Sequence, residues 1–308
     1  MTSATAPSWK VVPTRRLSLP ARWRNPIGIT GAIIVGLVAL TAALGPLVWR
    51  TNPNAPVYRA LLGPSWAHPM GTDNLGRDDL ARVIHGAQVS LWVGAVAIGI
   101  ALVLGTLIGF AAGYYGGYID LVLMRLIDMT FAIPGLILAL LIVGLTSPTR
   151  LHETIAIGII ITPAFVRVIR AGVLEVKGSP FIESARALGA GDLRVMGRHV
   201  FPNILAPLTV MSSVYFSQAI LVEATLSFLG LGVQPPQASW GGMLEIARGL
   251  ISQTVWPAIF PGLAIMITVL GFNFLGDGLR DVLDPRVATD LGAVAAQRST
   301  LPTLAGPQ

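Results

Sequence analysis

Six apolar stretches, separated by shorter polar segments, set the pattern of this chain. An α-helix rises about 1.5 Å per residue and the hydrocarbon core of a bilayer is about 30 Å thick, so about 20 apolar residues cross it. Every stretch is long enough, and the pattern therefore predicts an all-α, polytopic membrane protein with six transmembrane helices. The predicted helices are Ile27–Val48, Val89–Ala112, Leu121–Leu145, Thr154–Val173, Ile204–Leu231 and Val255–Leu275.

Composition supports a membrane environment. Charged residues make up 12% of the chain and the mean hydropathy is +0.70, whereas soluble domains carry about 25% charged residues. So few charges cannot cover the surface of a chain this long, and most of its exterior must face lipid. The net charge of +6 does not indicate nucleic acid, because the basic residues flank the apolar stretches. The chain contains no cysteine, which excludes disulfides and thiolate chemistry.

The distribution of lysine and arginine predicts the orientation. With six spans both termini lie on one side, and that side holds fifteen of the 21 basic residues. An excess of Lys and Arg marks cytoplasmic loops, so we expect an inner-membrane protein with both termini in the cytoplasm. Residues 1–26 then form a cytoplasmic segment, residues 27–286 the transmembrane domain (first span 27–48, core 80–286), and residues 287–308 a disordered cytoplasmic tail.

The cytoplasmic loop of about residues 174–203 is rich in signals for the beginning and end of helices. Ser179 and Pro180 favour a helix start, and Gly189 follows a helix-favouring run, as glycine does at the end of helices. Asp192 can cap a second helix that ends before Pro202. The loop therefore predicts two short amphipathic helices meeting at a glycine corner. By pattern alone they could also be an interfacial pair lying on lipid.

The residue spacing in this loop resembles a known motif. The "EAA" loop of ABC import permeases reads Glu-Ala-Ala, three residues, Gly, nine residues, Ile, one residue, Leu-Pro. The chain matches this order with departures at three positions: Glu183, Ser184, Ala185, Gly189, His199, Phe201 and Pro202. Three further segments, residues 68–78, 226–241 and 273–286, are similar to the permeases for dipeptides, oligopeptides and nickel. The resemblance covers about residues 27–286 and is to the "C" type of their two paired subunits.

The resemblance implies a function and a set of partners. In that family the loop couples the membrane helices to a cytoplasmic ATPase, which here implicates Glu183, Ser184, Ala185, Leu188, Gly189 and Pro202. The chain has no P-loop sequence of its own, so we expect no cofactor in it, and ATP and Mg are used by two separate ATPase subunits. The other implied partners are a homologous second permease and an extracytoplasmic solute-binding protein. The implied cargo is di- or oligopeptides, with nickel or another small solute as the alternative.

Two further sets of residues are candidates for function. Ser212, Ser213, Gln218 and Glu223 of the fifth span could line the translocation path, or could join helices by hydrogen bonds, since polar groups in a bundle avoid lipid. Asp73, Arg77, Asp78, Asp79 and Trp240 could form the docking face for the solute-binding protein. Their alternative roles are a polar start to the second span and an anchor at the membrane interface.

Two other classes of protein fit this sequence less well. A secondary transporter usually carries several ionisable residues in mid-membrane, whereas Glu223 is the only carboxylate well inside a predicted span. The nearby Asp128 and Arg125 suggest an ion pair within one helix. An intramembrane enzyme is disfavoured because the chain has neither a His-Glu-x-x-His nor a Gly-x-Ser-x-Gly sequence.

Overall fold

The computed structural model describes residues 25–283, so the predictions for residues 1–24 and for the tail at 287–308 lie outside the described residues. The described part consists of helices joined by loops, and its only β-type pairing is an isolated bridge between Thr72 and Asp78. The helices are α1 (Pro26–Val48), α2 (Asp79–Tyr115), α3 (Gly117–Phe131), α4 (Gly135–Leu145), α5 (Arg150–Lys177), α6 (Pro180–Ala187), α7 (Asp192–Arg194), a π-helical turn (Val195–Val200), α8 (Phe201–Phe228), α9 (Trp240–Arg248) and α10 (Trp256–Leu283).

Five helical segments are long and apolar enough to cross a membrane: α1, α2, α5, the continuous segment from α7 through α8, and α10. The all-α, polytopic fold class is thereby confirmed. The third predicted span is wrong as a single helix, because α3 and α4 meet at an angle of 89°. Pro134 lies at this break, and proline interrupts helical hydrogen bonding. With eleven residues, α4 alone is about 16 Å long, too short for a crossing.

The α2–α5 pair forms the centre of the bundle. Glycines recur every fourth residue on α2, and a β-carbon added at Gly105, Gly109 or Gly113 would lie within 3 Å of α5 side chains. Their neighbours are, in order, Phe165, Ile169 and Val173. Such small residues let two helix backbones approach closely in a membrane. Since the numbers rise together on both helices, α2 and α5 run in the same direction.

The parallel course of α2 and α5 determines whether the bent α3–α4 pair crosses the membrane. A chain that leaves the end of α2 and enters α5 in the same direction must first return to the opposite end of the bundle. The α3–α4 pair therefore acts as one crossing, which gives six crossings in the described residues. One end of the bundle, here called proximal, comprises residues 25–28, 113–118, 176–200 and 278–283. The opposite, distal end comprises residues 48–80, 146–153 and 228–256.

The outer helices are attached by close backbone contact and a few polar bonds. At Gly28 of α1 and Gly278 of α10, a β-carbon on either residue would lie within 3 Å of the other's α-carbon. Asn25 donates a hydrogen bond to Asp281 at the same place. On the distal side of α1, Gln88 of α2 donates to the carbonyl of Ala42 at 2.7 Å. The first span is thus packed on the last, far from it in sequence.

Charged residues join α3 to α5. Asp128 accepts a hydrogen bond from Arg167 at 2.7 Å, and Asp120 pairs with Arg170 at 2.5 Å. The sequence suggested instead that Asp128 pairs with Arg125 of its own helix. That prediction is wrong, because α5 places Arg167 within reach of Asp128 while Arg125 is exposed.

Candidate functional site

The proximal loop between α5 and α8 has the glycine corner that the sequence predicts. Helix α6 ends at Ala187, and Gly189 follows with φ of +82°. The N–H of Ala190 donates to the carbonyl of Ala185 at 3.0 Å, a bond typical of a helix that ends at a left-handed glycine. A side chain with a β-carbon is strained at this φ, so the corner depends on glycine.

The second predicted helix does not end before Pro202. Instead α7 continues through the π-helical turn into α8 without a break. The N–H of Phe201 donates to the carbonyl of Met196, five residues back. Pro202 lies in the first turn of α8, directly after the π-helical turn, and the helix continues past it although proline has no N–H to donate. The short helix that the sequence predicts is therefore the first part of a long span.

The loop presents an apolar tip to the outside. Leu188 and Leu193, on either side of the corner, are 89% and 85% exposed. Ile182 is instead fully buried and belongs to the main core with Val195 and Val200. The loop is therefore a rigid projection whose inner face packs on the bundle and whose tip packs on nothing within the described residues.

The remaining residues predicted for coupling lie on the outer surface of the projection. Glu183, Ser184 and Pro202 are exposed and Ala185 is half-buried. The hydroxyl of Ser184 donates to the carbonyl of Pro180 at 2.9 Å, so it is satisfied within α6. The structure thus brings the six predicted coupling residues to one projection, of which Gly189 sets the shape.

The base of the projection is attached by contacts that the sequence did not indicate. The hydroxyl of Tyr114, at the end of α2, donates to the carboxylate of Asp192. Lys177, at the end of α5, donates to the backbone carbonyl of Tyr114. These bonds join α2, α5 and α7 at one point. The partners are more than 60 residues apart, so no local pattern could have paired them.

The predicted path residues fall into two groups. Ser212 is half-buried and Gln218 is exposed. Ser213 donates to the carbonyl of Phe272 on α10 at 2.7 Å, and Glu223 is fully buried. The structure therefore supports helix joining for Ser213 and Glu223, because their polar atoms are turned into the bundle.

An apolar groove runs along the surface of the chain between α2 and α8. Its lining residues are Leu102, Val103, Thr106, Leu107, Phe201, Leu205, Leu208, Thr209 and Ser212. A second groove shares Thr106, Leu107 and Phe201 with it and continues to the π-helical turn. The two grooves together lead from the middle of the bundle to the base of the projection formed by residues 179–202.

A pair of buried carboxylates near the distal end was missed by sequence reasoning. Glu153 and Glu223 are both fully buried, and both lie within hydrogen-bond distance of the Ser227 hydroxyl, at 3.4 and 3.1 Å. Ser90 of α2 donates to the other oxygen of Glu223 at 2.8 Å. The predicted fourth span began at Thr154, one residue too late to include Glu153. A capping Thr149 four residues earlier is the signal that could have extended the helix.

The carboxylate pair also holds a distal loop. The N–H of Val233 donates to the Ser227 hydroxyl at 3.3 Å. A β-carbon at Gly232 would lie 2.0 Å from that hydroxyl and 2.7 Å from a Glu153 oxygen. The loop that follows α8 therefore depends on contacts with buried polar groups of α5 and α8, at a point where only glycine fits.

The predicted docking residues are buried within the chain. The exposed fractions of Asp73, Arg77, Asp78 and Asp79 are 5% or less. Asp73 pairs with Arg77 at 2.5 Å and with Arg82 at 3.6 Å. The burial of these side chains contradicts the expectation of an exposed surface of mixed charge. The acidic and basic groups instead neutralise one another inside the loop.

Asp78 and Trp240 have equally internal roles. Asp78 accepts hydrogen bonds from the N–H of Ala81 at 2.8 Å, as the cap of α2, and from the indole of Trp49 at 3.1 Å. Trp240 is 2% exposed and donates to the carbonyl of Val83 at 2.9 Å. The alternative role of a polar start to the second span accounts for Asp78, and packing against α2 accounts for Trp240.

The fold agrees with comparisons to known proteins. The profile of the family described as "Binding-protein-dependent transport system inner membrane component" matches residues 105–289. The chain belongs to this family, and it is a multi-pass inner-membrane component of a transport system rather than an enzyme.

Named relatives make the similarity more specific. The chain is 42% identical to the dipeptide transport system permease protein DppC of Alkalihalophilus pseudofirmus, over 86% of this chain and 87% of that one. It is 43% identical to the glutathione transport system permease protein GsiD of Pectobacterium atrosepticum, over 73% and 75%. Among solved structures, an amino acid ABC transporter with histidines matches at a TM-score of 0.50 and 20% identity, over 64% of this chain and 92% of that one. This last likeness concerns the fold alone.

Proposed function

We propose that this chain is a permease subunit of an ATP-driven importer that carries di- or oligopeptides into the cytoplasm. The observation that carries the proposal is the coupling projection at residues 179–202. It is fixed at its base, is exposed and apolar at its tip, and continues on both sides into long helices. A partner that holds the tip can move α5 and α8 together.

The partner at the tip is one of two cytoplasmic ATPase subunits, which bind ATP and Mg. Leu188 and Leu193 enter an apolar groove on the ATPase, and Glu183 is free to pair with a basic residue beside it. When the two ATPases close on ATP, their rigid-body motion is transmitted through the projection to the membrane helices. This assignment places the proximal end, and both termini, in the cytoplasm, in agreement with the excess of basic residues there.

The translocation path is the groove between α2 and α8. A groove open on one side in a single chain requires a second surface to close it, and a homologous permease subunit provides that surface. Ser212, which lines this groove, and Gln218, which is exposed further along α8, are the polar residues that meet the cargo. Peptide cargo rests on the names of the relatives, and an extracytoplasmic solute-binding protein delivers it to the distal end.

The proposal is tested by substitution at the glycine corner. We expect Gly189→Val to reduce peptide uptake per ATP hydrolysed about tenfold, since a left-handed conformation costs a residue with a β-carbon about 1–2 kcal/mol. Gly191→Val is the matched control, because Gly191 has an ordinary φ of −69° and open space around it. The measurement is uptake of radiolabelled di- and oligopeptides, with ATP hydrolysis, in proteoliposomes containing both permeases, both ATPases and the binding protein.

Two results would count against the proposal in different ways. Unchanged coupling in Gly189→Val would show that the projection does not transmit motion. A wild-type complex that hydrolyses ATP in response to its binding protein but imports no peptide would show that the cargo is another solute.

A further inference from the structure

Helix α3 is held weakly by apolar packing. Of its fifteen residues only Ile127 is buried, while Tyr118, Leu121 and Met129 are each at least 60% exposed. At its far end the helix stops before Pro134 and the chain turns by 89° into α4. A helix with so little buried apolar surface and a break at one end can move as a unit.

Two ion pairs attach this helix to α5. Both carboxylate oxygens of Asp120 accept hydrogen bonds from Arg170, each at 2.5 Å. Asp128, about two turns further along α3, accepts one from Arg167 at 2.7 Å. Two-point arginine–carboxylate contacts fix orientation as well as distance. The attachment of α3 to α5 thus depends on charge at two points along the helix.

The two pairs differ in their surroundings. The Arg170–Asp120 pair is 31% and 20% exposed, whereas the Arg167–Asp128 pair is 48% and 51% exposed. Because Arg170 makes a two-point contact with Asp120, whereas Arg167 donates one bond to Asp128, the Asp120 pair is the stronger attachment. The Arg167 guanidinium also lies 4.0 Å from the centre of the Phe131 ring, which adds a contact at the end of α3.

The arginines lie directly behind the coupling projection. Arg170 is seven residues before Lys177, the last residue of α5, and α6 begins at Pro180. Seven residues of helix are about 10 Å long, and this part of α5 is packed tightly on α2 through Gly109 and Gly113. A displacement of the projection therefore reaches Arg170 through a short, stiff segment.

We propose that Asp120 with Arg170, and Asp128 with Arg167, form an ionic clamp through which α5 carries the movement of the coupling projection to α3. These four are positioning residues, since their side chains pair with one another between α3 and α5. The break at residues 132–134 allows α3 to follow α5 while α4 keeps its place. This inference rests on the proposed function for the source of the movement, and it assigns a route for that movement within the subunit.

The clamp is tested by removing and then reversing its stronger pair. We expect Asp120→Asn to lower peptide uptake per ATP hydrolysed about fivefold, the low end of typical coupling effects. The double variant Asp120→Arg with Arg170→Asp restores the opposite charges and is expected to recover most of the loss. Arg125→Gln is the matched control, because it removes an exposed charge from the same helix without touching the clamp.

A distance measurement tests the clamp without any cargo. The chain has no cysteine, so spin labels at Tyr118→Cys and Leu174→Cys report only on α3 and α5 when this subunit is labelled before it is combined with its partners. In the assembled complex we expect a single narrow distribution of distances between the two labels, both with and without ATP, because the clamp makes α3 follow α5. In the Asp120→Asn background we expect a broad one, and in the charge-reversed background a narrow one again.

The outcomes separate the clamp from the proposed function. If Asp120→Asn keeps both the wild-type uptake ratio and the narrow distance distribution, the clamp is wrong. If the charge-reversed variant behaves like Asp120→Asn in both measurements, specific pairing is also ruled out. If the wild-type complex imports no peptide, the proposed cargo is wrong, and the distance distributions still decide whether the ion pairs hold α3 to α5.

Discussion

At the scale of single residues, the polar groups of this chain serve mainly to hold the chain together. Asp73, Asp78 and Glu223 look like functional residues in the sequence, because charges are rare in it. In the structure each has its partners within the same chain. A buried charge is costly unless it is paired and hydrogen-bonded, and these pairings account for the presence of charge in an apolar chain.

The first prediction follows from this burial. Changing Asp78 and Asp79 together to Lys removes the cap of α2 and places two positive charges beside Arg77 and Arg82. Because a charge buried without a partner of opposite sign is costly, we expect a large fall in the amount of folded protein. Basal ATPase activity and activity stimulated by the binding protein should fall equally, both measured on the reconstituted complex.

The control is Glu245→Lys, a charge reversal at an exposed residue of the distal helix α9, which should leave protein level unchanged. A selective loss of stimulated activity, with folded protein and basal activity intact in the Asp78 and Asp79 variant, would instead show that these side chains reach a partner.

At the scale of helices, close packing depends on small residues in register. The stripe Gly105, Gly109 and Gly113 lets α2 approach α5, and glycines of α1 and α10 do the same at the other side of the bundle. In lipid there is little hydrophobic gain from bringing two apolar helices together, so close van der Waals contact has to supply the attraction.

The second prediction concerns the centre of that stripe. A β-carbon at Gly109 would lie 2.9 Å from Ile169 and from the carbonyl of Val166, so Gly109→Leu forces the helices apart. Overpacking of this kind costs roughly 1–3 kcal/mol, and we expect a lower melting temperature of the purified protein in detergent. Gly99→Leu, on the same helix with nothing near its β-carbon position, should melt like the wild type. Equal melting of the two variants would mean that α2 and α5 are not in close contact.

At the scale of the whole molecule, the bent α3–α4 pair determines the topology. By length and composition alone the described helices give five or six crossings. The parallel course of α2 and α5 makes the pair a crossing, so the described chain begins and ends at the proximal end. Fifteen of the 21 basic residues belong to the side of the termini in a six-span arrangement.

The third prediction is that a reporter active only outside the cytoplasm stays silent when fused after Gln308. The physical reason is the charge excess, which retains basic segments in the cytoplasm. The same reporter fused after Thr149, in the distal loop before α5, should be active. Activity of the C-terminal fusion would mean a miscounted span, and the structure points to the α3–α4 pair as the place to look rather than the fourth predicted span.

Some features of the protein follow from local sequence alone. The membrane class, the approximate spans and the glycine corner at Gly189 depend on hydropathy and on backbone preferences within a few residues. The spacing of residues 183–202 is likewise a local pattern, and it indicated the family that the comparisons show. These features could be predicted because their physical causes act within one helix or one turn.

Other features were decided only when the helices packed. Asp128 pairs with Arg167 rather than Arg125, and Glu153 meets Glu223 across two helices, because helix placement brings together residues that lie far apart in the chain. The bend at Pro134 and the continuous helix through Pro202 likewise could not be predicted from local sequence. Each proline could equally have ended a helix or begun one, and the choice depends on which backbone groups find partners in the folded bundle.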